Sequence, residues 1–262
     1  MSSRKNAVLA AVLLLAAPVA ALSQAPRPVP AGESPSDASI RKWVEEHPEV
    51  ILETLNRYVA KEQAKKSDAR NQQALSAAPE IFDASAAPGI GNPSGKVVLT
   101  YFLDGACGYC KAMTPALDDL VSRNPDVRIL HRWVSFLGPA SEYAMRAATV
   151  VWKRHPDKYA AYYHDMMTQK GGLSNDVVDK ALARALGDDL ALSVRSEIAG
   201  GSDRPAVDAA LAANSALARQ ALIDGTPTMF VKGLGPEGVL RGLQKPDDLK
   251  AVVERSRTAL AR

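Results

Sequence analysis

The chain has 262 residues, of which 47% are hydrophobic and 23% are charged. This composition excludes a mainly disordered chain, and the length suits one large domain or two small ones. Lysine and arginine together number 32 against 29 acidic residues, so the formal charge of +3 does not favour general nucleic-acid binding. The two cysteines, Cys107 and Cys110, are too few for a disulfide-stapled fold or a four-cysteine zinc site.

Residues 1–23 have the pattern of a secretory signal peptide. Arg4 and Lys5 precede an apolar run over 7–17, and small residues follow as far as Ser23. The run is too short for a membrane anchor, because a bilayer requires roughly 20 apolar residues. We expect cleavage near residue 23 and export to a compartment where disulfides form and persist.

Residues 24–36 contain four prolines and are expected to form a flexible leader. Residues 37–75 are predicted to be an N-terminal helical segment. Its apolar side chains fall on one helical face, and Pro48 is expected to interrupt the helix. The residues of this face are Ile40, Val44, Ile51, Leu55 and either Tyr58 or Val59.

The apolar face of this segment is too small to be buried within the segment itself. It therefore either docks on the main domain or pairs with copies of itself. Residues 61–73 are almost entirely polar, which separates the face from the rest of the chain and favours self-association through residues 37–60. We expect a linker over 76–93.

The main domain is predicted to begin near residue 94, with an apolar strand, a helix and a second strand up to residue 138. This order is typical of a βαβ unit in an α/β fold. Helical periodicity then extends over 139–223, and strands and a last helix return over 224–262. The pattern therefore predicts an α/β domain interrupted by a helical insertion.

Cys107, Gly108, Tyr109 and Cys110 form a CxxC motif at the predicted start of a helix, directly after a buried strand. Residues i and i+3 of a helix share a face, so the two sulfurs can meet. Unpaired N–H groups and the helix dipole at this end stabilise a thiolate. We expect Cys107 to be the attacking cysteine and Cys110 to resolve the mixed disulfide.

Three other interpretations of the cysteine pair carry less weight. A structural disulfide across so short a loop would remove little chain entropy. A metal site would need further ligands, and His131, His155 and His164 are scattered along the sequence. The third interpretation is an incidental pair. A CxxC beside a βαβ pattern favours redox chemistry, with no metal and no cofactor.

Gly225, Thr226, Pro227 and Thr228 stand immediately before a predicted strand. Together with the CxxC motif, this stretch resembles the cis-proline loop of the thioredoxin superfamily. The resemblance implies that Pro227 is the cis-proline, that Thr226 precedes it, and that the loop pairs with a substrate peptide beside the reactive sulfur.

The helical insertion, the stretch 136–141 and Gly242 resemble the DsbA-type family over residues 94–262. CGYC with Thr-Pro departs from the Pro-His dipeptide of the usual oxidase. It is similar to the disulfide isomerases and to the suppressor-of-copper-sensitivity C proteins, which carry an N-terminal oligomerisation helix. A second departure is Tyr101, which stands where the family has a buried acid, whereas Asp104 occupies a different position.

The resemblance implies a thioredoxin fold with an inserted helical domain, preceded by a helical oligomerisation segment. It also implies a periplasmic isomerase or reductase of misformed disulfides in exported proteins, a homodimer or homotrimer, and a membrane thiol reductant of the DsbD type. The alternatives are a dithiol oxidase and a Cu(I)-binding protein, since thiolates are soft ligands.

Overall fold

The computed structural model describes residues 35–262. The expected signal peptide, and the expected leader except for its last two residues, lie outside this part of the chain. The ten α-helices of the described part are α1 (Pro35–Glu46), α2 (Pro48–Ala74), α3 (Ala78–Ile81), α4 (Gly108–Arg123), α5 (Pro139–Arg154), α6 (Tyr159–Thr168), α7 (Asn175–Leu186), α8 (Asp188–Gly200), α9 (Arg204–Gln220) and α10 (Pro246–Leu260). No helix among residues 35–262 is long and apolar enough to cross a membrane.

The described residues divide into two compact units at residues 57 and 58. The first contains α1 and the beginning of α2. As the sequence predicts, the chain is interrupted near Pro48, because proline has no N–H to continue the hydrogen-bond ladder of the preceding helix. Ile40, Leu52 and Leu55 are more than half exposed in this unit.

The second unit is built on a five-stranded mixed sheet in the order β1-β3-β2-β4-β5. The central strands β2 and β3 are parallel, and the other neighbouring pairs are antiparallel. The helical insertion, α5 to α9, lies between β3 and β4 in the sequence, as expected. The strands are β1 (Gly89–Gly91), β2 (Val97–Leu103), β3 (Val127–Trp133), β4 (Thr228–Val231) and β5 (Val239–Arg241).

Alternating residues of β2 face two different apolar clusters. Tyr101 and Leu103 belong to the larger cluster, with α4, α10 and the helical insertion. Phe102 belongs to the smaller cluster, where its ring lies edge-on to that of Phe230. A strand covered on both faces is nearly continuously apolar, which explains the composition of β2.

The prediction of a linker over 76–93 is wrong, because most of this segment is part of the second unit. Ala77 and Ile81 are fully buried in the smaller cluster. Gly89 pairs with Leu130, so that β1 adds an antiparallel edge strand to the sheet. A side chain at Gly89 would lie only 2.3 Å from the Ile129 carbonyl oxygen, which explains the glycine.

The polar stretch 61–73 is continuously helical and ends at a buried residue, Ala74. The second unit therefore begins well before residue 94. Residues 76–93 are buried mainly through alanines and a three-residue strand. These give only a weak hydrophobic pattern in the sequence, which is why the sequence predicts a linker here.

Tyr159, at the start of α6, joins the helical insertion to the end of β3. Its hydroxyl oxygen accepts a hydrogen bond from Trp133 Nε1 at 2.8 Å and lies 2.8 Å from His131 Nδ1. All three side chains are buried. The hydroxyl therefore supplies the hydrogen-bond partner of two buried polar groups.

We predict that Tyr159→Phe lowers the free energy of unfolding by about 2–4 kcal/mol, because two buried polar groups lose their partner. Tyr163→Phe is the matched control, since the buried Tyr163 hydroxyl makes no hydrogen bond, and it should change stability by less than about 1 kcal/mol. Urea denaturation measures both variants. Equal destabilisation would show that the hydrogen bonds of Tyr159 are not what joins α6 to the sheet.

Candidate active site

Cys107 caps the N-terminus of α4. Its backbone is extended, with φ −72° and ψ 113°, and its sulfur accepts a hydrogen bond from the Cys110 backbone N–H at 3.3 Å. The sulfur thus occupies the position that a serine or aspartate oxygen takes in an ordinary N-cap. Because the first N–H groups of a helix carry partial positive charge, this position favours the thiolate over the thiol.

The pKa of Cys107 is lowered to about 6. The hydrogen bond from the Cys110 side chain is the largest cause, and burial opposes it. Hydrogen bonds from the Thr226 side chain and from the backbone N–H groups of Cys110 and Tyr109 lower the pKa further. Burial raises the pKa of Cys110 far above its usual range, and Cys110 is completely buried. Both cysteines are free thiols in this structure. At neutral pH the Cys107 sulfur is therefore mainly a thiolate, and Cys110 keeps its proton.

The Thr226–Pro227 peptide bond is cis. This loop contacts the cysteine directly, since Cys107 Sγ lies 3.3 Å from the Thr226 carbonyl oxygen and donates to it when protonated, although the two residues are 119 positions apart. On the other side, the Gly242 N–H donates to the Pro227 carbonyl at 2.8 Å. The fold thus brings the two predicted motifs together.

Tyr109 and Gly108 form the outer edge of the site. The Tyr109 side chain is 66% exposed, so it is available to a substrate rather than to the core. Gly108 is the first residue of α4 and has open space where a side chain would lie. Its packing therefore does not require glycine.

Asp104 holds the loops that surround Cys107. Its carboxylate accepts hydrogen bonds from Ala106 N–H at 2.8 Å, Leu137 N–H at 3.1 Å and the Ser141 hydroxyl at 2.6 Å. Its carbonyl accepts the Cys107 N–H at 3.0 Å. This role of Asp104 was not predicted from the sequence. The signal was an aspartate directly between a buried strand and a glycine turn, where its side chain can bond the backbone two residues later.

Tyr101 contacts Cys110, and the His131 ring packs against Tyr101. The Tyr101 hydroxyl donates to the Cys110 carbonyl at 3.4 Å, and burial raises the pKa of Tyr101 well above its usual value. Burial also lowers the pKa of His131 to about 3, and its ring lies edge-on to that of Tyr101. Since both groups are uncharged at pH 7, neither supplies a positive charge that would offset the burial that raises the pKa of Cys110.

No group of three or more His, Cys, Asp or Glu side chains within residues 35–262 is placed to hold a metal ion. The reactive groups that the site does present are its two free thiols. A thiolate next to a buried second thiol can attack a disulfide and then be released by its neighbour.

We predict that Cys107 titrates near pH 6 in the reduced protein, against about 8.5 for an ordinary cysteine. The rate of iodoacetamide alkylation, or thiolate absorbance at 240 nm, should rise with this midpoint as the pH increases. Cys110→Ala should move the midpoint upward by removing the side-chain hydrogen bond, whereas Cys110→Ser should move it less. A midpoint above pH 8 in the unsubstituted protein would contradict this electrostatic account.

Comparison with solved structures shows which proteins share this fold. The chain is 28% identical to the catalytic domain of Proteus mirabilis ScsC, with a TM-score of 0.61, covering 73% of this chain and 99% of that chain. Against Proteus mirabilis ScsC in a transitional conformation, the identity is again 28% and the TM-score 0.61, and the match covers 88% of this chain and 98% of that chain.

A thioredoxin-like oxidoreductase from Silicibacter pomeroyi is 28% identical, with a TM-score of 0.59, covering 68% of this chain and 96% of that chain. The thiol-disulfide exchange protein α-DsbA2 from Wolbachia pipientis is 22% identical, has a TM-score of 0.63 and shares the fold over 72% of this chain and 96% of that chain. No curated protein matches the chain.

The family model of the DSBA-like thioredoxin domain matches residues 98–254, which contain the CxxC helix, the helical insertion and the cis-proline loop. The chain therefore belongs to the DsbA-like thioredoxin-domain family of thiol–disulfide oxidoreductases.

Proposed function

We propose that the chain acts mainly as an isomerase and reductase of misformed disulfides in exported proteins. The observation that carries this proposal is the Cys107 sulfur, whose pKa of about 6 makes it largely a thiolate at neutral pH. It lies beside the cis-proline loop and within reach of a buried second thiol. A reduced enzyme with a thiolate ready to attack is what disulfide rearrangement requires.

In the proposed reaction, the Cys107 thiolate attacks one sulfur of a substrate disulfide. The substrate S–S bond breaks, a substrate thiolate leaves, and Cys107 forms a mixed disulfide with the substrate. If another substrate thiolate attacks the substrate sulfur of this bond, the disulfide is rearranged and Cys107 returns as a thiolate.

If Cys110 instead loses its proton and attacks Cys107, the substrate leaves as a reduced thiol. Cys107 and Cys110 then form a disulfide, and two electrons have passed to the substrate. An external dithiol must return them. We propose a membrane reductant of the DsbD type for this step, on the resemblance of the sequence to the isomerases.

Exposed apolar side chains next to the site support a protein substrate. Leu137 lies beside the loops held by Asp104, and Leu243 follows the glycine that bonds the Pro227 carbonyl. Phe136, Leu137 and Leu243 are each about half exposed, and Tyr109 is more exposed still. Apolar side chains gathered around a reactive group suit the apolar segments that an unfolded chain exposes.

The pKa of Cys107 also favours this role over that of a dithiol oxidase. In DsbA, the reactive cysteine has a pKa of about 3.5, so its reduced form is strongly stabilised and the protein is a strong oxidant. A cysteine with a pKa of about 6 is less acidic and stabilises its reduced form less. We therefore place the chain among the weaker oxidants that rearrange or reduce disulfides.

We propose that residues 1–23 direct export to the periplasm and that the chain is a homodimer or homotrimer assembled through residues 37–60. Apolar side chains of α1 and the first half of α2 support the oligomer, because large apolar side chains in such number favour burial against another chain. The most exposed of them are Ile40, Leu52, Leu55 and Tyr58.

Deleting residues 24–57 tests the oligomer and retains the buried end of α2. We predict that light scattering gives a multiple of the monomer mass for the mature chain and the monomer mass for the deletion variant. A monomer in both cases would contradict the oligomer. Activity of the isolated second unit would separate this question from the chemistry of the site.

For the activity itself, we predict that the reduced protein recovers ribonuclease activity from scrambled, wrongly paired ribonuclease. It should oxidise reduced ribonuclease only slowly. Cys107→Ser should abolish the recovery, because no other thiol of the chain is activated, whereas Cys110→Ser should retain part of it, since rearrangement needs only one attacking thiolate. Activity confined to the oxidation of reduced ribonuclease would overturn the proposal in favour of an oxidase.

A further inference from the structure

Three distant parts of the chain meet at the base of the cis-proline loop. They are the last turn of α2, the turn that follows α9, and the end of β5. Arg241 of β5 pairs with Thr228, the residue after Pro227, in the register of the sheet. Arg70 and Asn71 of α2 reach this junction from more than 150 positions away in the sequence.

The turn after α9 has an unfavourable backbone conformation. Leu222 has a φ of +53° and is the only non-glycine residue with positive φ in the described part of the chain. Its N–H donates to the Arg219 carbonyl at 3.1 Å, and the Ile223 N–H donates to the Ala218 carbonyl at 2.8 Å. This is the Schellman arrangement that normally has glycine at the left-handed position, so the leucine requires support from its surroundings.

Two arginines provide such support. Arg70 Nη2 donates to the Leu222 carbonyl at 2.7 Å, and Arg241 Nη1 donates to the same oxygen at 3.2 Å. The carboxylate of Asp224 lies 2.7 Å from Arg70 Nη2 and 3.9 Å from Arg241 Nη1. The Leu222 carbonyl and the Asp224 carboxylate thus bind two guanidinium groups, four and two residues before Thr226.

Asn71 connects the two sides of the junction. Its side-chain oxygen accepts a hydrogen bond from Arg241 Nε at 3.3 Å, and its amide nitrogen donates to the Pro236 carbonyl at 3.3 Å. Asn71 is 6% exposed, so the last turn of α2 is packed in place rather than resting on the surface. The backbone of the neighbouring Arg70 is consequently held in a fixed position.

We propose that Arg70 is a positioning residue of the active site, which acts through Leu222 and Asp224 to fix residues 222–226 and so place the Thr226 carbonyl against Cys107. This proposal rests on the proposed thiol–disulfide chemistry of that cysteine. It makes the last turn of α2, outside the residues matched by the family model, a working part of the catalytic domain.

The expected effect is selective for peptide substrates. A peptide that pairs with the cis-proline loop needs the loop in one conformation, and an unfixed loop would have to be ordered on binding. A small disulfide makes no such pairing. Removal of the Arg70 charge should therefore raise KM for a cysteine-containing peptide more than it changes kcat, and should leave reaction with a small disulfide nearly unchanged.

The experiment compares Arg70→Gln with Lys65→Gln in the full mature chain. Lys65 is exposed on the same helix, so its substitution removes the same charge without touching the junction. Exchange of backbone amide hydrogens in peptides covering 221–229, followed by mass spectrometry, reports on the loop directly. We expect exchange at least tenfold faster in Arg70→Gln, a KM for the peptide raised at least threefold, and neither change in Lys65→Gln.

Two further variants keep the test decisive if Arg70→Gln is poorly folded. Arg70→Lys should restore part of the protection, since an ammonium group can still bond Asp224 or Leu222. The double variant Arg70→Gln with Asp224→Asn should exchange little faster than Arg70→Gln alone, because the two substitutions break the same ion pair.

Unchanged exchange at 221–229 in a folded Arg70→Gln protein would overturn the proposal, whatever its activity. The two proposals can fail separately. If the unsubstituted protein shows the protected loop but exchanges no disulfides with peptide or small substrate, the proposed function is wrong and the positioning of the loop stands.

Discussion

The structure depends on one interaction, the hydrogen bonding of the Cys107 sulfur at the start of α4. The sulfur replaces the oxygen of an N-cap and receives the Cys110 N–H, which couples helix geometry to thiol acidity. The same sulfur lies against the Thr226 carbonyl. Thiolate formation and, in the proposed reaction, substrate pairing and release by Cys110 therefore all involve a single atom whose position is set by backbone groups.

The surrounding fold holds together two loops that are far apart in the sequence. The parallel pair β2 and β3 directs Cys107 to the end of the sheet, and β4 returns antiparallel beside β2 with the cis-proline loop at the same end. Asp104 fixes the loops on one side of the cysteine. On the other side, Arg70 and Arg241 fix the turn after α9. The redox pair itself is short, and most of the second unit serves to place it.

Much of the fold and of the active site is predictable from the sequence, because the patterns that specify them are strong and local. The continuous apolar run of β2, the CxxC at a helix start and the Thr226-Pro227 dipeptide each specify structure within a few residues, and the helical insertion has clear periodicity. The region 76–93 was mispredicted because its burial uses alanines and one short strand. The role of Arg70 could not be inferred at all, since its partners are about 150 residues away and an arginine at the end of a polar helix ordinarily faces solvent.

The reduction potential of the Cys107–Cys110 pair tests the central claim most directly. At pH 7, a thiolate with a pKa of about 6 stabilises the reduced state about 300-fold less than one with a pKa of about 3.5. Because a tenfold change corresponds to about 30 mV, this places the potential about 70 mV below DsbA's approximately −120 mV. Equilibration with glutathione buffers should therefore give a value near −190 mV, as expected of an isomerase or reductase, whereas a value near −120 mV would contradict the account.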